Sequence, residues 1–278
     1  MKALTPTLSL LLLALSGLHA APATAADAPA PAPRFILLGE VHDNAEQHRL
    51  RAAWLAELMK DGRRSTVVFE QIPAQRTPAL ASLPAEARHD AEALVELAQL
   101  DKKNWRWPLH KPLFEASLQA GAAVAGGNLS REELRPLMKG VSAETWPADL
   151  RRLLEQTPWS EGQQSAMIRA IDEGHCGALP AAMQAPMALA QRARDAAMAR
   201  AMLAAREGGA ERVILIAGNG HVDRELGVPR YLEAAGVPAR EIRAIGYLEQ
   251  GQEGPGRFDS RVLTAAAERE DPCQSLRR

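Results

Sequence analysis

The sequence predicts an α/β fold: a mostly parallel sheet with helices on both faces and an inserted helical subdomain. Short apolar runs of strand length alternate with longer segments in which apolar residues recur at helical spacing. This alternation is typical of a parallel sheet, because each crossover between parallel strands needs a long connection, usually a helix. The runs are nearly continuous in apolar residues, as expected for strands buried on both faces. They are FILLG (35–39), TVVFE (66–70), AAVAGG (122–127), RVILIAG (212–218) and the weaker EIRAIGYL (241–248).

The segments between the predicted strands have helical lengths, and one region interrupts their regular alternation. Residues 131–184, between the third and fourth strands, are helical in composition, and we predict that they form the inserted subdomain at the edge of the sheet. Residues 71–84 are rich in proline and are predicted to form an irregular loop over the same end. The predicted helices lie at 44–60, 88–100, 111–120, 185–206 and 222–236.

The amino-terminal residues have the features of a secretory signal peptide, which we predict at 1–26. Lys2 precedes the apolar run LSLLLLALSGL, which is too short to cross a bilayer as a stable helix, and small residues follow at candidate cleavage sites. No cysteine for lipid attachment stands there, so we expect a processed protein that does not span the membrane and is periplasmic in a cell with two membranes. The other predicted units are an Ala/Pro-rich tether (27–33), the α/β domain (34–250) and a polar tail (251–278).

Charge and cysteine content exclude several classes of site. The formal net charge is −1 and no block of basic residues occurs, so a nucleic-acid partner is not expected. Cys176 and Cys273 would be able to pair in an oxidising compartment, but their positions in the sequence do not show that they meet. The absence of a C-x-x-C pattern excludes covalent attachment of c-type haem.

Polar side chains follow each of the four stronger predicted strands. Because the carboxyl ends of parallel strands meet at one edge of the sheet, where ligands bind in open α/β folds, we expect these side chains to share one crevice. Glu40 and His42 are two positions apart and therefore share a face in an extended chain. A single histidine or glutamate at a strand end is more often a cap, and the shared position of the set is what favours a functional site. The set is Glu40, His42, Glu70, Gln71, Asn128, Asn219 and His221.

The histidines and glutamates of this set suit two kinds of chemistry. His42, His221 and Glu40 are suitable ligands for a divalent metal ion. Without a metal ion, an imidazole polarised by a glutamate would act as a general base on water. The sequence has neither a G-x-S-x-G elbow nor a G-x-G-x-x-G loop after a strand, which disfavours a serine triad and a dinucleotide site. The candidate catalytic residues are Glu40, His42, Glu70 and His221.

Two further segments carry candidate cofactor-binding residues. The stretch NWRWPLHKPLF places Trp105 and Trp107 near His110, and aromatic side chains beside a ligand would suit a flat apolar cofactor; a tryptophan-anchored loop is the alternative. The stretch DEGHCGALP places His175 in a loop that we expect to reach over the crevice. Arg194 and the aspartate after it lie within a predicted helix, where a site and a solvated face both remain open.

The chain carries the motifs LLGEVHDNAEQH, VVFEQ, W-x-W, GNLSR, HCGALP, AQRARDAAMA and LIAGNGHV. Together they resemble those of the ChaN-like haem-binding uptake proteins, which share a superfamily with the Tiki and TraB proteins and the erythromycin esterases. The paired GExH and GNGH motifs are common to the superfamily, whereas HCG and AQRARDA are specific to the ChaN branch. The resemblance covers about residues 33–250.

This resemblance implies an α/β fold and a role in haem or iron acquisition, with haem-uptake components as partners. It also implies cofacial haems held between two protomers through a tyrosine oxygen, and hence a homodimer. The Tiki relatives are metal-dependent peptidases, and the esterase relatives use a histidine with nearby glutamates. His175 and Arg194 fall in the ChaN-specific segments. The polar centre of the superfamily corresponds to Glu40, His42, Glu70 and His221.

One departure from the family pattern concerns the haem ligand. Family members commonly carry a tyrosine shortly after W-x-W, whereas this chain has His110 there, and its two tyrosines are Tyr231 and Tyr247. Either His110 replaces the tyrosine as an axial ligand, which is chemically reasonable, or haem is held differently or not at all. The leading hypothesis is an exported haem-binding protein for iron uptake. The alternative is a hydrolase that uses the Glu/His centre on an ester or peptide, with or without a divalent metal ion.

Overall fold

The computed structural model describes residues 32–139, 146–251, 254, 256–271 and 273–274. Its strands are β1 (Phe35–Leu38), β2 (Ser65–Pro73), β3 (Ala123–Asn128), β4 (Arg212–Ile216), β5 (Ile242–Glu249) and β6 (Ser260–Thr264). They form one sheet in the order β3-β2-β4-β1-β5-β6, in which every neighbouring pair is parallel. The predicted α/β fold is confirmed.

Strand β1 lies in the middle of the sheet, because β4 and β5 pair with its two edges. In this register Phe35 lies opposite Val213 on one side and Ile242 on the other. Strand β2 pairs with the far edge of β4. The carboxyl ends of β1, β4 and β2 therefore lie side by side, and the polar residues that follow them are brought to one place.

Helices cover both faces of the sheet. Neighbouring residues of one strand point to opposite faces, so Leu37 and Leu215 pack into one core while Ile36 and Ile214 pack into the other. In the described part of the chain the helices are α1 (Ala45–Leu58), α2 (Thr77–Leu80), α3 (Ala91–Ala98), α4 (Lys111–Gln119), α5 (Arg131–Met138), α6 (Ala148–Gln156), α7 (Glu161–Gly174), α8 (Ala181–Glu207), α9 (Asn219–Val222) and α10 (Val228–Ala234). The first core includes residues of α6, α8 and α10, and the second includes residues of α1, α3 and α4.

The described residues between β3 and β4 are mostly helical. Helices α5, α6 and α7 precede α8, which is 27 residues long. Ala193, Ala196 and Ala197 of α8 are buried, and such small side chains let a helix lie close to a sheet. The predicted loop at 71–84 is wrong in part, because β2 continues to Pro73 and α2 follows it.

The carboxyl-terminal residues are more structured than predicted. The predicted polar tail contains β6, whose alternating exposed and half-buried residues fit an edge strand and give only a weak apolar signal. Beyond β6, Asn44 Nδ2 donates to the carbonyl oxygen of Ala265 at 3.0 Å, and Arg269 Nη2 lies 3.0 Å from Asp43 Oδ1. A disulfide joins Cys176 to Cys273 across 97 positions, which the sequence had left open. The segment after β6 is thus tied both to the loop after β1 and to the end of α7.

The predicted signal peptide at 1–26 and most of the tether lie outside the described residues. Within the described residues, no helix combines the length and the apolar character that a membrane crossing requires.

Candidate functional site

The site begins where β1 ends. Gly39 follows the strand at a close approach to the turn after β4, because a Cβ atom at Gly39 would lie 2.1 Å from Asn219 Oδ1. The next two polar side chains differ in access to solvent: Glu40 is 2% exposed, whereas the side chain of His42 is 49% exposed. The carboxylate is therefore internal, and the imidazole it contacts reaches the surface.

The carboxylate of Glu40 is held on both oxygens. His42 Nδ1 donates to Oε1 at 2.7 Å, and His110 Nε2 lies 3.0 Å from the same oxygen. The guanidinium of Arg51 pairs with Oε2. Burial would raise the pKa of Glu40, but the charge of Arg51 and the imidazole of His110 outweigh burial and hold that pKa well below its usual value. Glu40 is thus a buried anion that orients His42.

Helix α1 supplies the counter-charge from a buried polar face. Asn44, Gln47, His48 and Arg51 recur at helical spacing and are all buried. His48 Nδ1 accepts from Arg51 at 2.8 Å, and its Nε2 donates to the backbone carbonyl of His42 at 3.0 Å. Burial lowers the pKa of His48 to about 4, so this imidazole is neutral and has one donor and one acceptor nitrogen, as both contacts require. The face therefore fixes the backbone of His42.

A second cluster of buried polar residues lies on β2 and in the turn that follows β4. The backbone N–H of Gly218 donates to Glu70 Oε2 at 2.8 Å, and His221 Nε2 lies 3.3 Å from Glu70 Oε1. On the other side of the ring, His221 Nδ1 lies 2.5 Å from Asp195 Oδ1 of α8. His221 is therefore held between two carboxylates.

Electrostatics make His221 a stable cation. Burial would lower its pKa, but Glu70 and Asp195 outweigh burial and raise that pKa to about 10. Burial would raise the pKa of Glu70, but the charges of His221 and His42 lower it to about 2. Burial raises the pKa of Asp195 to about 6, which still leaves an anion at neutral pH. The group is an imidazolium between two carboxylates.

His42 lies between the buried residues around Glu40 and those around Glu70 and His221. A Cβ atom at Gly218 would be 2.9 Å from His42 Nε2, so the glycine makes room for the ring. Burial would lower the pKa of His42, but the charge of Glu70 and the hydrogen bond to Glu40 raise it above 6.5. Within the described residues Nδ1 is occupied by Glu40, and Nε2 makes no hydrogen bond. Nε2 is the ring nitrogen open to a ligand when the proton is lost.

A cavity of about 600 Å³ opens beside His42, Glu70 and His221. This volume is within the range of small-molecule and cofactor sites. Its walls are one face of α5 and one face of α8, each contributing residues at positions i, i+3, i+4 and i+7. The wall residues are Arg131, Leu134, Arg135 and Met138 of α5, and Met187, Ala190, Gln191 and Arg194 of α8.

The structure brings the four candidate catalytic residues together, but it changes the candidate metal ligands. His42, Glu70 and His221 line the cavity, and Glu40 lies behind His42. Among the described residues, the ligand atoms that lie within 4.8 Å of one another belong to Glu40, His42 and His110. His221 is instead engaged by two carboxylates, so within this part of the chain the atoms grouped with Glu40 and His42 are those of His110.

His110 is an internal residue of the polar centre. It is 1% exposed, its Nε2 faces Glu40, and its Nδ1 lies 3.0 Å from the carbonyl oxygen of Trp105. An axial haem ligand needs a free nitrogen lone pair directed at the iron. Because both ring nitrogens face oxygen atoms of the protein, this arrangement does not support the expectation that His110 ligates haem.

The two tryptophans near His110 have different surroundings. Trp105 stands edge-on to His42, with 5.2 Å between the ring centroids. Trp107 packs against Phe114, and its indole N–H donates to Glu92 at 3.0 Å. Trp105 thus lies against the site, whereas Trp107 anchors the loop to the core between α3 and α4.

His175 and Arg194 also differ in their relation to the cavity. Arg194 lines it and donates from Nη1 to Asn128 Oδ1 at 3.0 Å. His175 lies at the end of α7, where its Nδ1 is 2.7 Å from the carbonyl oxygen of Ile171. His175 is not among the described residues that line the cavity, so the expected closure of its loop over the site is not seen.

Three buried residues of the site were not assigned from the sequence. Arg51 and His48 belong to a polar stripe of α1 that is equally typical of a solvated face. Asp195 was left open between site and surface, and it is fully buried in the alanine-rich part of α8. The available signal was position: the stripe begins directly after the GExH motif, and Asp195 belongs to AQRARDA.

Comparisons with known proteins agree with this fold. A family model described as "Haem-binding uptake, Tiki superfamily, ChaN" matches residues 28–232. The structure is similar to that of ChaN of Campylobacter jejuni with cofacially bound haem, with a TM-score of 0.62 and 18% identity over 78% of this chain and 82% of that chain. The identity is low, so this likeness shows the fold alone.

Two more distant similarities complete the comparisons. The type III effector HopBA1 gives a TM-score of 0.45 at 13% identity over 84% of this chain and 88% of that chain. A mutant of the erythromycin esterase EreC in its open conformation gives a TM-score of 0.42 at 16% identity, over 80% of this chain and 71% of that chain. No curated protein matches the sequence. The family match covers most of the chain: this protein belongs to the ChaN family of haem-binding uptake proteins in the Tiki superfamily.

Proposed function

We propose that this protein binds haem in the cavity between α5 and α8. The observation that carries the proposal is the lining of the cavity, where Leu134, Met138 and Met187 form apolar walls beside the imidazole of His42. A mostly apolar pocket with a few placed polar groups is typical of cofactor sites. The family membership and the haem-binding ChaN neighbour support the same ligand.

We assign His42 as the ligand of the haem iron. Its Nδ1 is anchored on the buried carboxylate of Glu40, an arrangement that fixes the ring and increases the basicity of the other nitrogen. Its half-exposed side chain lines the cavity, whereas both ring nitrogens of His221 face carboxylates. When bound, haem would supply an iron centre that accepts an imidazole nitrogen as a ligand.

We further propose that haem binding serves iron uptake outside the cytoplasm. The signal-peptide features at 1–26 support export, and the Cys176–Cys273 disulfide fits an oxidising compartment such as the periplasm. The likeness to ChaN with cofacial haems supports a homodimer with paired haems and a partnership with haem-uptake components. Mass spectrometry of exported protein, with an amino terminus near residue 26, would test the first step.

We expect haem titration of the wild type to give a Soret band shifted from that of free haem. His42→Ala should change the position of this band and weaken haem binding about tenfold or more, which corresponds to a loss of about 1.4 kcal/mol. The physical reason is the loss of the open Nε2 as an iron ligand. The measurement is an absorption titration of the full chain with each variant.

Two further variants are informative. His175→Ala removes an imidazole outside the cavity and should leave the spectrum unchanged, whereas His110→Ala tests the alternative iron ligand. A spectrum changed by His110→Ala but not by His42→Ala would contradict the assignment of His42. A wild type without a shifted Soret band would contradict haem binding.

A hydrolase is the second candidate function, and the pairing of His42 with Glu40 favours it. A carboxylate on one ring nitrogen and an open second nitrogen form the arrangement of a general base, and the adjacent His221 cation would stabilise developing negative charge. A divalent ion would be held by Glu40, His42 and His110 and would lower the pKa of a bound water. His110 Nδ1 faces a backbone carbonyl, as in many metal sites, whereas the cation of Arg51 on the same carboxylate opposes metal binding.

If the centre is hydrolytic, the wild type should release p-nitrophenolate from a p-nitrophenyl ester faster than buffer does. His42→Ala should then lower the rate about 10²–10⁴-fold, because it removes the general base. His89→Ala, which alters an imidazole bonded to the Leu118 carbonyl outside the cavity, is the control. Rates measured after chelation and after adding Zn²⁺ or Mn²⁺ would separate the metal-dependent form, and no release above buffer would argue against this function.

A further inference from the structure

The charged residues of the cavity walls are not evenly distributed. On α5, Arg131 is the first residue and Met138 the last; on α8, Met187 precedes Arg194 by about two helical turns. All four side chains line the cavity. Arg194 Nη1 donates to Asn128 Oδ1 at 3.0 Å, and Asn128 lies three residues before Arg131, so the arginine ends of the two faces lie together. One end of the cavity is therefore cationic, and the methionines lie away from it.

The two arginines lack close carboxylate partners among the described residues. Arg194 donates to the neutral amide of Asn128, and Arg131 approaches Asp101 only to 3.7 Å. Burial lowers the pKa of Arg194; the charges of Glu70 and Asp195 oppose this lowering, and the smaller effect of Arg131 adds to it. Two neighbouring guanidinium groups in this situation favour an anion placed between them.

The side chains of Arg131 and Arg194 differ in solvent exposure, and this difference suits a ligand with one acidic edge. Arg131 is exposed at the mouth of the cavity, whereas Arg194 is half-buried within it. Arg135, on the same face of α5, adds positive charge at the mouth. A planar ligand with its apolar part between the helices would therefore present its outer edge to the arginines.

From this arrangement we infer that Arg131 and Arg194 bind carboxylate groups of the ligand, so that the cavity selects amphipathic molecules with carboxylates along one edge. In haem these groups are the two propionates. A guanidinium presents two parallel N–H donors to a carboxylate, which makes such pairs both strong and orienting. The inference rests on the proposed haem-binding function and adds to it the chemical feature by which the ligand is recognised.

Haem and haem dimethyl ester separate this inference from haem binding itself, because the ester has the same iron and ring but no carboxylates. We expect the wild type to bind haem about tenfold or more tightly than the diester in absorption titrations, because the diester offers the arginines no anionic acceptor. Arg131→Gln and Arg194→Gln should each reduce this preference several-fold, and the double variant should abolish it.

Arg200→Gln is the matched control, because Arg200 lies on the same helix but pairs with Asp149 and does not line this cavity. It should keep the wild-type preference. Arg131 is exposed, so Arg131→Gln is expected to fold normally. This variant keeps the test independent of any structural role of Arg194.

Equal wild-type affinities for haem and diester would overturn carboxylate recognition while leaving haem binding intact. Binding of neither would overturn both, and a preference that survives the double variant would overturn the assignment to these arginines.

Discussion

Replacing Arg51 by methionine is expected to lower the free energy of unfolding by about 3–5 kcal/mol, because it leaves a buried charge without its partner. Arg51 is fully buried and its guanidinium contacts both Glu40 and His48. Methionine retains much of the aliphatic stem, so the main loss is the counter-charge of Glu40. Urea or guanidinium denaturation of wild type and variant at neutral pH measures the difference.

Two comparisons identify the cause of this loss. Arg49→Met removes an arginine from the same helix whose ion pair with Glu46 is exposed to solvent, and it should change stability little. The double variant Arg51→Met/Glu40→Gln removes both charges and should be more stable than Arg51→Met alone. An Arg51→Met variant as stable as Arg49→Met would show that Glu40 does not depend on Arg51.

Removal of Arg51 would affect function as well as stability. Without Arg51, burial raises the pKa of Glu40, and a protonated Glu40 is a neutral, weaker acceptor that holds the His42 ring less firmly. Both the proposed iron ligation and the alternative general base need that fixed ring. A residue remote from the cavity would in this way control the chemistry of His42.

The strand ends were predictable from the sequence for a simple physical reason. Apolar runs that end in Glu40, Glu70 and His221 mark strands buried on both faces, and parallel strands place their carboxyl ends at one edge. The order of β1, β4 and β2 in the sheet then brings the three residues together. Strand β6 escaped prediction because Ser260, Arg261 and Thr264 leave no continuous apolar run in its five residues.

The supporting residues were not predictable, because local pattern does not tell a buried polar face from a solvated one. The polar stripe of α1 that ends at Arg51 looks like a surface until Glu40 is placed against it. His110 lies 70 positions from Glu40, and the sequence links it to the neighbouring tryptophans rather than to that carboxylate. Asp195 interrupts an alanine-rich helix, and its burial follows only from the position of His221.

The site as a whole is a buried network of alternating charge. Arg51 faces Glu40, and His221 lies between Glu70 and Asp195, with His42 between the two groups. The pKa values of Glu40, Glu70 and His221 are moved by their neighbours, so folding stability is linked to pH. The Glu70–His221 pair should dominate this linkage, since the pKa of Glu70 is lowered and that of His221 is raised, and both shifts favour the charged forms.

Glu70→Gln is expected to destabilise the protein by about 3 kcal/mol where both partners are charged, and this difference should shrink at acidic and at alkaline pH. The pKa of Glu70 is lowered from 4.5 to about 2, so its contribution is present above pH 4.5 and is lost as the pH falls toward 2. The pKa of His221 is raised from 6.5 to about 10, so its contribution is present below pH 6.5 and is lost as the pH rises toward 10. The largest difference between wild type and variant should therefore lie between pH 4.5 and 6.5, as measured by chemical denaturation across pH.

Glu57→Gln, which alters an exposed pair with Lys60, should show little difference in stability from the wild type at any pH. A Glu70→Gln effect on stability that is constant with pH would refute the linkage.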